Sequence, residues 1–229
     1  FVFNHNESFL YEYIEKVAPS LFERIKKLVA CGRWHIMGGW FLQPDANIPC
    51  GESMLRQIIR GREYFLEKFG AFPEIAVNFD SFGHSRGLVQ ILAKTGYRGF
   101  VCCRPLEEMK ERMFLWNGFD NTQVMLYRAV DGYCTLMGQL MGRLESYADY
   151  FREYRTQALF WGVGNHGGGA SRDDLDSIRK FELEHPSIKV EHSDPESFFE
   201  DYCSDVRKLP EYEGSIKDVF PACYTSQHR

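Results

Sequence analysis

Apolar residues recur at helical spacing from early in the chain, at Phe9, Tyr13 and Val17 and then at Leu21, Ile25 and Leu28, with Gly32 as the stop. Pro19 falls between the two sets, where a proline suits the first turn of a new helix, so two helices are expected. The period then changes. Residues 34–41 read as a short buried strand, 51–69 as an amphipathic helix, and 75–79 as an apolar strand between Pro73 and Gly83. A helix over 88–94, strands over 100–103 and 124–128, a helix over 141–155 and a strand over 158–163 continue the alternation. A helix over 172–184, a strand over 188–191 and a helix over 195–208 close it. Strands separated by helices predict βαβ units and a parallel sheet, so the class is α/β, with the sheet open or closed into a barrel.

Ligands of such folds sit at the carboxyl ends of the strands, where the βα loops gather. The loops after successive strands carry Trp40 to Asn47, Asn78 to Ser85, Arg104-Pro105, and Gly164-Asn165-His166-Gly167-Gly168-Gly169. Taken alone, Asp80 reads as a residue near a helix start and His84 as a satisfied loop histidine. Carboxylate, imidazole, amide, guanidinium and indole groups at several consecutive strand ends are harder to obtain from capping alone.

Composition narrows the partners. The chain has 229 residues, 44% hydrophobic and 26% charged, enough to bury a core as one large domain or two small ones. Its 27 Lys+Arg against 32 Asp+Glu leave a net charge of −5, and no long basic run interrupts the pattern, so nucleic acid is not an expected partner. No apolar stretch approaches the ~20 residues of a membrane span, and the first residues lack the pattern of a secretory leader. Seven cysteines, an odd number without a C-x-x-C pair, favour a reduced compartment and a cytoplasmic location. Because the chain opens on Phe1 rather than Met, it is expected to be a piece of a longer protein.

Two motifs are read as decoys. Gly162-Val163-Gly164-Asn165-His166-Gly167 matches the G-x-G-x-x-G dinucleotide fingerprint literally. In that fingerprint the last glycine lies inside the helix, whereas here Ser171 and Asp174 form a capping box that starts the helix later and leaves every glycine in a loop. His192-Ser193-Asp194 offers two metal donors, and two are too few.

The run from Trp40 to Asn47, the helix start Gly51-Glu52-Ser53-Met54-Leu55-Arg56-Gln57, the segment Phe79-Asp80-Ser81-Phe82-Gly83-His84-Ser85, and Tyr224-Thr225-Ser226-Gln227 resemble, in order, the catalytic domain of family 38 glycoside hydrolases, the zinc-dependent retaining α-mannosidases. The resemblance implies a distorted β/α barrel of the seven-stranded type, lacking its first strand in this chain, and residues 1–229 as one catalytic-domain fragment. It implies hydrolysis of terminal α-mannosidic bonds of a mannose-containing oligosaccharide, with Asp80 as nucleophile and zinc ligand. Arg104 falls where the family places an arginine beside the nucleophile, Tyr133 where a substrate-contacting tyrosine is expected, and Trp40 and Asp45 in the loop that lines the sugar site. His228 matches the late zinc histidine, giving one Zn2+ held by Asp80 and His228, with further ligands on the missing strand. Where several family members carry an acid aspartate, this chain reads Asn165-His166, so the proton donor is assigned to His166, with Asp131 as the other candidate. A non-catalytic carbohydrate-binding domain on the same barrel is the alternative. Strand edges left unpaired by the missing element leave a homo-oligomer open.

Overall fold

The computed structural model describes residues 1–104, 111–150, 155–205 and 208–217. It divides into two compact units, one of Phe1–Val130, Asp194–Glu196 and Lys208–Arg229, the other of Asp131–Ser193 and Ser197–Arg207.

The first unit runs β1 (Phe3–His5), α1 (Ser8–Val17), α2 (Pro19–Ala30), β2 (Trp34–Ile36), α3 (Gly51–Phe69), β3 (Ile75–Val77), β4 (Gly83–His84), α4 (Gly87–Lys94), β5 (Gly99–Cys102), β6 (Met113–Asn117) and β7 (Gln123–Arg128). The chain then passes through α5 (Leu140–Tyr150), α6 (Arg172–Glu184) and α7 (Pro195–Asp205), and ends its described part with β8 (Glu211–Tyr212) and β9 (Ile216–Lys217). Pro19 does open α2, and α3 stops at Gly70, whose left-handed φ of 65° returns its N–H to Leu66 O.

Five strands pair in the order β3-β5-β7-β6-β8, with β3, β5 and β7 parallel and β6 antiparallel to β7. Ile75, Ala76 and Val77 have no exposed surface, as expected of a parallel strand covered on both faces. Beside this sheet stand two two-stranded ladders, the parallel β1-β2 and the antiparallel β4-β9. Among the described residues the sheet therefore does not close, and the seven-stranded barrel expected from the sequence is replaced by one five-stranded sheet and two short ladders. The core beneath it joins Met54 and Ile58 of α3, Leu88 and Leu92 of α4, and Phe100, Phe114, Trp116 and Leu126 of the sheet.

In the second unit the expected strands over 158–163 and 188–191 are absent. Leu159, Trp161, Ile188 and Val190 instead pack on a cluster of Leu140, Leu144, Ile178 and Phe181 from α5 and α6. Their alternation reflects burial against helices, and only Val163 makes bridges, to Thr135 and Gly169. The glycine-rich loop folds back on itself there. A Cβ on Gly164 would meet Gly167 O at 1.7 Å, and one on Gly168 would meet Gly162 O at 2.3 Å. The α6 helix starts after Ser171, whose hydroxyl accepts from Asp174 N in the expected capping box, so these glycines belong to a loop and none lies within the helix.

Candidate active site

The rim of the first unit is built where β1, β2, β3 and β5 end. The turn after β2 leaves its ladder because Gly38 and Gly39 take φ values of 73° and 76°. It is then held from two sides. The first N–H groups of α1, Ser8 N and Phe9 N, donate to Trp40 O and Phe41 O at 3.0 and 2.9 Å, so the helix start is satisfied by rim carbonyls rather than by a side-chain cap. From the other side Phe41 N donates to Gln57 O of α3 at 2.9 Å. The contact is close because Gly61 has no side chain: a Cβ there would stand 2.3 Å from Gly39 O.

Asp80 lies three residues beyond β3, and Arg104 two beyond β5, the neighbouring parallel strand. Arg104 Nε donates to Asp80 Oδ1 at 2.6 Å, and the guanidinium lies over the Phe82 ring, 4.9 Å from its centroid. Each side chain is 32% exposed, and an ion pair that wet contributes about 0–1 kcal/mol to stability. Its consequence is orientation of the carboxylate.

Around Asp80 the backbone is fixed residue by residue. Asn78 is fully buried, its amide donating to Pro44 O at 3.0 Å, and the Ser81 hydroxyl lies 2.9 Å from Pro44 O and 2.5 Å from Asn78 Oδ1. Phe79 N donates to Gln43 Oε1 and Phe79 O accepts from Cys103 N, both at 3.1 Å. Beyond Asp80, Asn47 Nδ2 donates to Gly83 O at 3.0 Å, and His84 bridges to Ala46. Gln43, Asn47, Asn78 and Ser81 lie within the loops that the sequence singles out, but none is assigned a role there. Their roles depend on partners more than thirty positions away, apart from the Ser81–Asn78 contact, and no local pattern announces them.

Of the other residues expected from the sequence, Trp40 has no exposed surface. Its indole N–H sits on Val77 O at 2.8 Å and its ring near Tyr97, so as placed it supports the rim from beneath. Asp45 Oδ1 accepts from Asn47 N and Ile48 N, both at 2.8 Å, while its buried Oδ2 has no hydrogen-bond partner among the described residues. Tyr133, half-buried, and His166, exposed, belong to the second unit, as does Asp131, whose Oδ2 accepts from Tyr147 at 2.5 Å. His228, Pro105 and the segment from Tyr224 to Gln227 lie outside the described residues.

One cluster was not anticipated. His35, Asp194 and Glu196 are the one group among the described residues in which three His, Cys, Asp or Glu side chains bring ligand atoms within 4.8 Å of one another. His192, the other donor of the His192-Ser193-Asp194 motif, sits against Trp161. Glu196 spends both oxygens: Oε2 lies 2.8 Å from His35 Nε2, and Oε1 accepts from Glu74 N and Ile75 N at 3.1 and 3.2 Å. Burial is the largest single influence on His35 and works against its charge, but the Glu196 hydrogen bond, the Glu196 charge and the Asp194 charge together raise its pKa above the ordinary value. Glu196 grips the amino end of β3, whereas Asp80 follows its carboxyl end, so the two are separate sites and the trio reads as a latch centred on Glu196. The expected zinc site fits these residues only in part: Asp80 supplies an oxygen donor, and the described residues add no second and third ligand beside it.

Residues 1–215 match the model of the Glycosyl hydrolases family 38 N-terminal domain. The chain belongs to this family. Its relatives include the Alpha-mannosidase 2C1 of Homo sapiens, 26% identical over 222 residues that cover 94% of this chain and 21% of that protein. Alpha-mannosidase G of Dictyostelium discoideum is 26% identical over 235 residues, 99% of this chain and 22% of the relative. The family 38 chain thus spans about a fifth of the length of the curated relatives it matches. Among solved structures, an alpha-mannosidase from Enterococcus faecalis V583 superposes with a TM-score of 0.80 at 19% identity, over 94% of this chain and 26% of that one, and so shares its fold. Among the described residues no helix is long and apolar enough to cross a membrane.

Proposed function

We propose that this family 38 chain carries the nucleophile of a retaining α-mannosidase acting on terminal mannose of an oligosaccharide. The observation that carries the reading is the Asp80–Arg104 pair, a carboxylate with one oxygen held at 2.6 Å by a guanidinium, at the carboxyl ends of two adjacent parallel strands. Asp80 attacks the anomeric carbon as the glycosidic bond breaks, and water later cleaves the resulting ester. His166 gives its proton to the departing oxygen and then takes one from that water. Asp45 and Tyr133 contact the sugar, and Trp40 shapes the floor of that loop. Asp80 and His228 would contribute ligands to a zinc ion, which when bound supplies positive charge to anchor sugar hydroxyls. Seven cysteines, an odd number without a C-x-x-C pair, accord with a cytoplasmic setting.

The test uses the protein at its native length and a fluorinated, activated α-mannoside whose second step is slow. Mass spectrometry should find the sugar on the peptide that contains Asp80, and Asp80→Asn should remove it. Labelling of another residue, or labelling that survives the substitution, contradicts the assignment. Asn165 favours a second reading, because a carboxamide stands where several family members have an acid aspartate and cannot exchange the catalytic proton. Under that reading the protein binds α-mannosides without turnover, and calorimetry alongside the same assay separates the two.

A further inference from the structure

Glu7 is one of two described non-glycine residues with left-handed backbone, at φ 67° and ψ 89°. It sits between β1 and α1, and helix α1 begins at the next residue. A carboxylate residue in this region is strained, and nothing local compensates it, since Glu7 provides no side-chain cap to α1. What the conformation achieves lies across the rim: Glu7 Oε1 accepts the backbone N–H of Gln43 at 3.1 Å. Gln43 in turn presents Oε1 to Phe79 N at 3.1 Å, and Phe79 is the residue before Asp80. The next residue, Pro44, offers its carbonyl to Asn78 and Ser81 on either side of that pair. Three loops from three strand ends are therefore tied in series, from Glu7 with its left-handed backbone through one glutamine to the N–H of Phe79, the residue before Asp80.

We propose that Gln43, anchored by Glu7, is a positioning residue for Asp80. The side-chain amide of Gln43 orients the Asn78–Phe79 peptide through the Phe79 N–H and so sets the path of the backbone into Asp80 at the end of β3. The proposal deepens the reading of Asp80 as nucleophile and rests on it. Arg104 then fixes the carboxylate from the β5 side, so Asp80 is held through its backbone by one loop and through its oxygen by another.

The test compares Gln43→Met, Glu7→Met and Glu7→Gln in the protein at its native length, with an aryl α-mannoside as probe and amide hydrogen exchange at Phe79 as a second readout. Gln43→Met should lower kcat about 10- to 100-fold with KM nearly unchanged, as expected of a misdirected rather than missing group, and should expose the Phe79 amide to faster exchange. Glu7→Met should do the same, and the double variant should be no worse than Gln43→Met alone, because the two act as one chain. Glu7→Gln, which keeps an oxygen for Gln43 N, should restore activity. Unchanged kcat in Gln43→Met, additive losses in the double variant, or unaltered Phe79 exchange would each overturn the proposal. If Gln43→Met does not fold, the contrast between Glu7→Met and Glu7→Gln decides. Asp80→Asn separates the two readings: if it stays active the nucleophile assignment fails, whereas an inactive Asp80→Asn beside a fully active Gln43→Met refutes only the positioning role.

Discussion

Gly61→Ala tests the packing that shapes the rim, because sequence and structure disagree on its sign. Gly61 lies inside the 19-residue helix α3, and by helix propensity alone an alanine there should stabilise by about 1 kcal/mol. In the structure an alanine Cβ at that point would stand 2.3 Å from Gly39 O, 2.4 Å from Trp40 C and 2.6 Å from Phe41 N. All three are backbone atoms, so no rotamer change relieves the clash. Bringing the shortest contact to 3.4 Å requires the helix and the rim to part by roughly 1.1 Å. Overpacking of this kind costs about 1–3 kcal/mol. The same movement loosens two hydrogen bonds from Phe41 N and Leu42 N to Gln57, at about 1 kcal/mol each. Set against the propensity gain, the net is a destabilisation of roughly 2–4 kcal/mol, or about 4–16 °C in Tm at this chain length. Urea unfolding followed by tryptophan fluorescence, sensitive to the buried Trp40 and Trp116, reads the effect as a lower midpoint. Gly142→Ala in α5 is the control, since nothing lies within 4 Å of its Cβ, and it should be neutral or stabilising by up to about 1 kcal/mol. A Gly61→Ala protein as stable as the parent would refute the close approach of α3 to the rim.

The latch at the amino end of β3 should show a pH signature. Because the His35 pKa is raised on folding, its contribution is fully present below the unfolded value near 6.5 and is lost as pH rises through the higher folded value. Glu196→Gln should therefore cost more stability near pH ~6 than near pH ~9 in thermal melts, and an equal cost at both would contradict the ion pair. Ser171→Ala should remove the capping box of α6 and destabilise the second unit by about 1 kcal/mol, with faster amide exchange at Asp174 as the local readout.

The helices were legible because their signals are local. Pro19, the capping box at Ser171 and the stop at Gly70 act within one turn of the chain they punctuate, so α2, α3 and α6 begin or end where the pattern places them. Asp80 and Arg104 were legible for a related reason: each stands just past a short apolar run, and two adjacent parallel strands bring the first residues of their loops together. The strand over 113–117 is absent from the sequence-based expectation although Gly118, Asp120 and Asn121 mark a turn between two apolar runs, which is a hairpin signal. The runs at 158–163 and 188–191 have strand-like alternation, but alternation reports only which side chains are buried.

The α/β class, the family 38 likeness, the positions of the helices and the two charged groups of the rim were determined by the sequence itself, though the helices expected to run to 155 and 208 do not extend that far. Whether a strand pairs, and with which neighbour, depends on a partner's free edge, so tertiary structure alone decided that the described strands form a five-stranded sheet with two short ladders. The same holds for polar groups whose partners are distant in sequence. His35 and Glu196 are 161 positions apart, and Glu7 and Gln43 are 36, and neither pairing leaves a periodic or compositional trace. Trp40 shows the division most directly: its place in the rim loop is legible in the sequence, whereas the burial of its indole and the hydrogen bond from its N–H to Val77 O are decided by the fold.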